Sequence, residues 1–281
     1  MIQKKALITD IDNTLFDWFT MWHRSFSVMI GVVSEISNVP VEELYVGAKK
    51  VHQKYGTAEY AFLLEELEPL LRRYGTKDEL RRRMEPAIQA YRAERDKSMQ
   101  LYPGVLDTLR VVKAKGMRVF AFSESKAYYS SYRIAQLGLD GIVDVVYCPE
   151  DHELPGDHAS SKLLKSTQCH VLEGAFKKPN PEILLKILSD ANLKPEEVLY
   201  VGDSKSKDIK MAIDSRVDYL WFEHGSTHLN ARKEDYDLLK AVTHWTDAEV
   251  EAERILAEDS KKMEIPQARV IHAYPDILGH L

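Results

Sequence analysis

Residues 6–14 read Ala6-Leu7-Ile8-Thr9-Asp10-Ile11-Asp12-Asn13-Thr14. A short apolar run that stops abruptly at an acid marks a buried strand, with its polar chemistry gathered at the C-terminal end. Side chains alternate along an extended chain, so Asp10 and Asp12 share one side while Ile11 points to the other. Two carboxylates that close need a cation or a shared proton between them. Taken by itself, the pair fits a turn or a helix N-cap equally well.

Beyond this strand comes an aromatic cluster, Phe16, Trp18, Phe19 and Trp22. Helical periodicity then dominates to about Gln100, with breaks near Asn38-Val39-Pro40, Gly56 and Gly75. At Tyr102-Pro103-Gly104 the texture changes. Pro103 can open a helix over 105–115, which Gly116 stops. A buried strand over 117–122 ends at Ser123. A helix over 126–137, a strand over 143–147, a helix over 181–191 and a strand over 198–201 follow, the last ending at Gly202-Asp203. Part of a helix over 209–213 and a strand over 218–222 complete the pattern. Strands alternating with helices of this length predict an α/β fold, a doubly wound parallel sheet. Its domain would comprise residues 1–18 and 101–281, with 19–100 inserted after the first strand as a helical cap over the sheet edge where such folds bind ligands. The tail beyond 226 carries helical texture and a last strand at 268–273, in no order that the sequence settles.

Composition bounds the function. The 281 residues are 44% hydrophobic and 29% charged, enough to build a core and too apolar for a disordered chain. A net charge of −6 argues against a general nucleic-acid binder. Nine Lys or Arg against five acids between 72 and 97 read as a solvated helix face, or as a field that draws an anionic substrate. No run approaches 18 apolar residues, and Cys148 and Cys169 are the whole cysteine content. No membrane span, no disulfide framework and a cytoplasmic location are therefore expected.

Three further positions carry chemistry. Ser123 offers a hydroxyl at a strand end, followed by amides that lead into a helix, a natural anion site. Lys178-Pro179-Asn180-Pro181 sets a cation before a rigid turn and a helix start. Gly202-Asp203 and Asp208 bring hard oxygen ligands to a glycine turn, as Mg²⁺ prefers. Each has a bland reading as a cap or a surface residue; together, in this order, they form a pattern.

That pattern resembles the four motifs of the haloacid dehalogenase-like hydrolase superfamily: Asp10-x-Asp12-x-Thr14, Ser123, Lys178 and Gly202-Asp203-x4-Asp208. The resemblance spans about residues 6–222, and the insert resembles that family's type 1 cap. It implies a Rossmann-like core and a Mg²⁺-dependent phosphatase acting on a small phosphorylated metabolite. Asp10 would be the nucleophile that becomes an aspartyl-phosphate, and Asp12 the general acid and then base. Ser123, Lys178 and the Glu124 amide would hold the phosphoryl group. Asp10, the main-chain carbonyl of Asp12, Asp203 and Asp208 would hold Mg²⁺. Asp12 favours a phosphatase over a dehalogenase, because a halide leaving group needs no proton. A phosphonate hydrolase, a phosphomutase or a catalytically silent binding module are the alternatives. Three features depart from the family pattern: Glu124 follows the second-motif serine where a small or amide residue is frequent, Ser215-Arg216-Val217 replaces a frequent Ala-Gly turn, and 149–177 is long. The last holds His152, His158, Cys169 and His170 without zinc-like spacing, and reads as a flexible surface excursion.

Overall fold

The computed structural model describes residues 3–152, 163–174, 177–226 and 233–281. Seven parallel strands form one sheet: β1 (Ala6–Asp10), β2 (Arg118–Phe122), β3 (Val145–Pro149), β4 (Gln168–Leu172), β5 (Val198–Gly202), β6 (Asp218–Phe222) and β7 (Val270–Ile271). Their order is β4-β3-β2-β1-β5-β6-β7. The order reverses at β1, which lies between β2 and β5, and the crevice at such a reversal is where open α/β sheets bind ligands.

Every residue of β1 and β5 is buried. Alternation sends Leu7 to one face, where it meets Val105, Leu109 and Val112 of α6 (Val105–Ala114) and Ile134 of α7 (Ala127–Gln136). Ala6 and Ile8 go to the other face, against Ile183, Leu184 and Ile187 of α8 (Glu182–Ala191) and Met211 of α9 (Lys210–Asp214). Both faces are covered, so the strands read as continuous apolar runs.

Between β1 and α6 stand five helices: α1 (Trp18–Ser37), α2 (Val41–Tyr55), α3 (Leu63–Glu66), α4 (Glu68–Tyr74) and α5 (Lys77–Ser98). Trp22, Phe26, Ile30 and Val33 form a helical stripe on α1 that packs against Leu44 and Ala48 of α2 and Leu80, Met84 and Ala87 of α5. The expected breaks are helix C-caps: Asn38 and Gly56 are left-handed, and the Gly75 amide closes on the Leu71 carbonyl. The two chain crossings run side by side, with Phe16 bridged to Leu101 and the Tyr102 amide donating to the Leu15 carbonyl at 2.9 Å.

Two expectations need correction. The stretch 149–177 is not wholly an excursion, because β4 lies within it as the sheet's edge strand. Its five residues, Gln-Cys-His-Val-Leu, bury only Leu172, so no apolar run announces them. His158 falls outside the described residues. Residues 233–281 of the tail also take a definite order. Helix α10 (Lys233–Ala241) leads to Val242, which is buried in the core of the helical insert. Helix α11 (Asp247–Lys261) returns to the sheet domain, where Glu253 and Glu249 face Lys207 and Lys177. The chain then adds β7 and folds Tyr274 under β1, its hydroxyl 3.1 Å from Thr9 Oγ1. No helix among the described residues is long and apolar enough to cross a membrane.

The return of the tail buries His52. Its Nδ1 donates to the Val242 carbonyl at 2.6 Å, and burial pushes the ring down to about 4. Between pH 6.5 and 4 the unfolded chain takes up a proton that the folded chain refuses, so stability falls as pH drops through that window. His52→Gln should flatten this limb of the unfolding-free-energy profile by up to roughly 3 kcal/mol. Parallel profiles for the two proteins in urea melts across that range would refute this role.

Candidate active site

The register of the central strands assembles the site. Asp10 pairs with Phe122 and Thr9 with Val201, so Asp10, Ser123 and Asp203 emerge at one edge, each at or just past a strand end. After Asp10 the chain turns back: the Leu15 amide reaches the Ile11 carbonyl at 2.9 Å, and Asn13 takes a positive φ of 62°. Asparagine tolerates this conformation well, and its side chain accepts from the Phe19 amide at 3.1 Å, tying the turn to the start of α1. The same turn brings Thr14 Oγ1 to within 2.8 Å of Asp10 Oδ2.

Lys178 points into this edge from the turn before α8. Its Nζ contacts Asp10 Oδ1 and lies 2.7 Å from Asp208 Oδ1, over the Phe122 ring. Asp208, 1% exposed, also accepts from the Tyr200 hydroxyl at 2.6 Å and from the Ser204 amide at 3.0 Å. Glycine at 202 is what lets it in: a Cβ there would sit 2.4 Å from the Asp208 carboxyl carbon. Asp10, Asp203 and Asp208 each offer an oxygen within 4.8 Å of the others.

Three carboxylates facing one ammonium leave the cluster short of positive charge. Burial pushes Asp10 up to about 7, with Lys178 pulling it down and Asp208 and Asp12 raising it further. Burial, then Asp208 and Asp10, raise Asp203 well above the usual carboxylate range. An all-oxygen donor set, two of its carboxylates buried and the third partly so, with excess negative charge suits a small hard divalent cation, so these residues fit Mg²⁺.

The Asp12 carboxylate is not part of this triad. Its Oδ2 accepts from Ser123 Oγ and Ser125 Oγ, each at 2.9 Å, and from Arg133 Nη1 at 3.2 Å. The Glu124 side chain has its own task beside the backbone amide. Its carboxylate accepts from the Lys178 amide at 3.0 Å and faces Lys207 Nζ at 3.5 Å, so it positions the lysine. Sequence reasoning missed Ser125, Arg133 and Glu59, because isolated polar residues near helix ends look like caps and solvated faces. Of the aromatic cluster, Phe16, Phe19 and Trp22 are packed into the core, each at most 1% exposed, while Trp18 is partly exposed.

A family model described as haloacid dehalogenase-like hydrolase matches residues 4–216. The chain is a haloacid dehalogenase-like hydrolase. Among its curated relatives, a glyceraldehyde 3-phosphate phosphatase of Methanopyrus kandleri is 26% identical over 74% of this chain and 79% of that protein. A phosphoglycolate phosphatase of Nitrosococcus oceani is 23% identical over 80% of this chain and 87% of its own length. In fold, the hydrolase is similar to the crystal structure of a 2-haloacid dehalogenase from Pseudomonas syringae, with a TM-score of 0.56, 16% identity and 99% of each chain covered.

The hydrolase also carries a site residue no motif announces. Gly225, past β6, lies so close that a Cβ would fall 2.1 Å from the Asn13 carbonyl oxygen and 2.6 Å from Asp203 Cβ. Gly225→Ala should therefore displace two site loops at once. Turnover should drop by about 10²-fold, at a stability cost of about 1–3 kcal/mol. Wild-type turnover in this variant would show that the close approach has no part in activity.

Proposed function

We propose that this hydrolase is a Mg²⁺-dependent phosphatase that cleaves a small phosphomonoester through an aspartyl-phosphate on Asp10. The observation that carries the reading is the division of labour between two carboxylates. Asp10 sits inside the cation-type triad against Lys178, whereas Asp12 is held apart by hydroxyls and a guanidinium. The phosphatases named among its relatives support the same class of substrate.

In this reading Lys178 and Ser123 hold the phosphoryl oxygens, their charge and hydroxyl offsetting the build-up of negative charge as the phosphoryl group transfers. A carboxylate oxygen of Asp10 attacks phosphorus, the bond to the leaving oxygen breaks, and Asp12 gives that oxygen its proton. A water molecule then attacks the same phosphorus while Asp12 takes its proton, releasing inorganic phosphate and restoring Asp10. Mg²⁺ held by Asp10, Asp203 and Asp208, with the Asp12 carbonyl as a further ligand, would neutralise a phosphoryl oxygen as a Lewis acid. Residues 19–100 serve as the cap. Between α1, α5 and α7 lies a cavity lined by Trp22, Glu59, Tyr91, Arg95 and Tyr129.

Activity should be lost in EDTA and return with Mg²⁺. Asp203→Asn should raise the Mg²⁺ concentration for half-maximal rate by at least about tenfold, because a hard cation loses a charged ligand. An unchanged Mg²⁺ titration curve would remove Asp203 from the site.

Asp12→Ala separates the two steps, since general acid–base help is worth ~10²–10⁴-fold. With an aryl phosphate, whose leaving group needs little protonation, the variant should release a burst near one equivalent of phenol and then nearly stop. With an alkyl phosphate the burst itself should slow. Steady aryl phosphate turnover at the parent rate, without a burst, would make Asp12 structural.

A further inference from the structure

We infer that Arg133 is the positioning residue of Asp12, and that Glu59 of the cap holds Arg133 in place; the inference rests on the acid–base role proposed for Asp12. Arg133 lies on α7 and is 1% exposed. Its Nη1 faces both oxygens of Asp12, at 3.1 and 3.2 Å, while its Nη2 donates to Glu59 Oε2 at 2.5 Å. Glu59 lies between α2 and α3 and is 8% exposed, and the same Oε2 accepts from Trp18 Nε1 at 3.3 Å. The guanidinium sits over the Phe16 ring, at the crossing from the sheet domain into the cap. A guanidinium removed from water is costly unless well paired, and here its partners are one carboxylate from each side of that crossing.

The geometry at Asp12 gives this pairing a purpose. Oδ2 accepts three hydrogen bonds, whereas Oδ1 accepts none among the described residues and has only the charge of Arg133 beside it. A carboxylate that moves protons needs one oxygen fixed and the other free of hydrogen bonds; here Oδ2 is fixed, and Oδ1, though buried, accepts none among the described residues. Two of the three anchors are serine hydroxyls, which rotate, and Ser123 is also wanted by the phosphoryl group. Once substrate is bound, the rigid guanidinium fork is the anchor that does not compete for phosphate. Glu59 fixes the far end of that fork, so the aim of Asp12 depends on the cap being in place.

The test compares the wild-type enzyme with Arg133→Met, Arg133→Lys and Glu59→Gln, using p-nitrophenyl phosphate and an alkyl phosphate with Mg²⁺. Arg133→Met should lower alkyl phosphate kcat by about 10²-fold with KM within about threefold. On p-nitrophenyl phosphate it should keep the burst and slow the steady state, because only the proton-dependent steps suffer. Arg133→Lys should recover part of the loss, since an ammonium supplies charge without the fork. Glu59→Gln should show the same pattern at roughly a tenth of the size, and it decides the matter if circular dichroism shows Arg133→Met unfolded. Equal losses in burst and steady state, or a change confined to KM, or unaltered kinetics in Glu59→Gln and the folded Arg133 variants, would overturn the inference. A wild-type enzyme inactive on every phosphomonoester would instead overturn the phosphatase reading beneath it.

Discussion

The ammonium of Lys178, buried against Asp10 and Asp208, is the contact on which the rest of the structure depends. Removing three carboxylates and an amine from water at one sheet edge is unfavourable unless each is paired, hydrogen-bonded or supplied with a further cation. The fold answers with fixed partners. Tyr200 and the Ser204 amide satisfy Asp208, Thr14 satisfies Asp10, and Glu124 grips the backbone of Lys178 itself. These partners come from β5 and the loop after it, from the turn after β1 and from the turn after β2, so the edge forms only when those three strands and the turn before α8 are all in register. The charge cluster and the central sheet are therefore one cooperative unit.

Around it stands a second arrangement of opposite design. Asp12 is less deeply buried, with its side chain 20% exposed, and its partners are hydroxyls and a guanidinium in place of an ammonium and tyrosine. One carboxylate is thus buried among like charges and the other is steered from outside by a residue tied to the cap. Two acids only two positions apart in sequence receive different surroundings because Ile11 between them points into the core and the chain then turns at Asn13.

The sheet and the charge cluster were legible in the sequence because parallel strands buried on both faces show as unbroken apolar runs, with the chemistry confined to the residues just past them. Asp10, Ser123 and Asp203 stand at or just past such strand ends, and Lys178 and Asp208 stand where the chain enters a helix. Strand β4 was not legible, since an edge strand half in water needs no apolar run. Arg133, Ser125 and Glu59 were hidden for another reason. Their roles arise from contacts between positions up to 121 residues apart, and nothing local distinguishes a buried arginine on α7 from one that faces solvent. The tail was unreadable because its apolar residues divide between two cores, Val242 in the helical insert and Ile271 and Tyr274 in the sheet domain, each far from its partners in sequence.

That tail alters what kind of object the cap is. With Val242 set into the cap's own core and Glu249 and Glu253 facing the sheet domain, the chain joins the two parts three times: at the paired crossings near Phe16 and Leu101, and again through α10 and α11. Two adjacent crossings alone would make a hinge. A third attachment makes a closed loop, so any relative movement of the two parts has to be shared with the arm between Lys233 and Lys261. The cap is consequently not a portable module. A chimera that transplanted residues 19–100 onto another hydrolase would carry an open groove where Val242 belongs, whereas a graft that included the arm would bring its own seal.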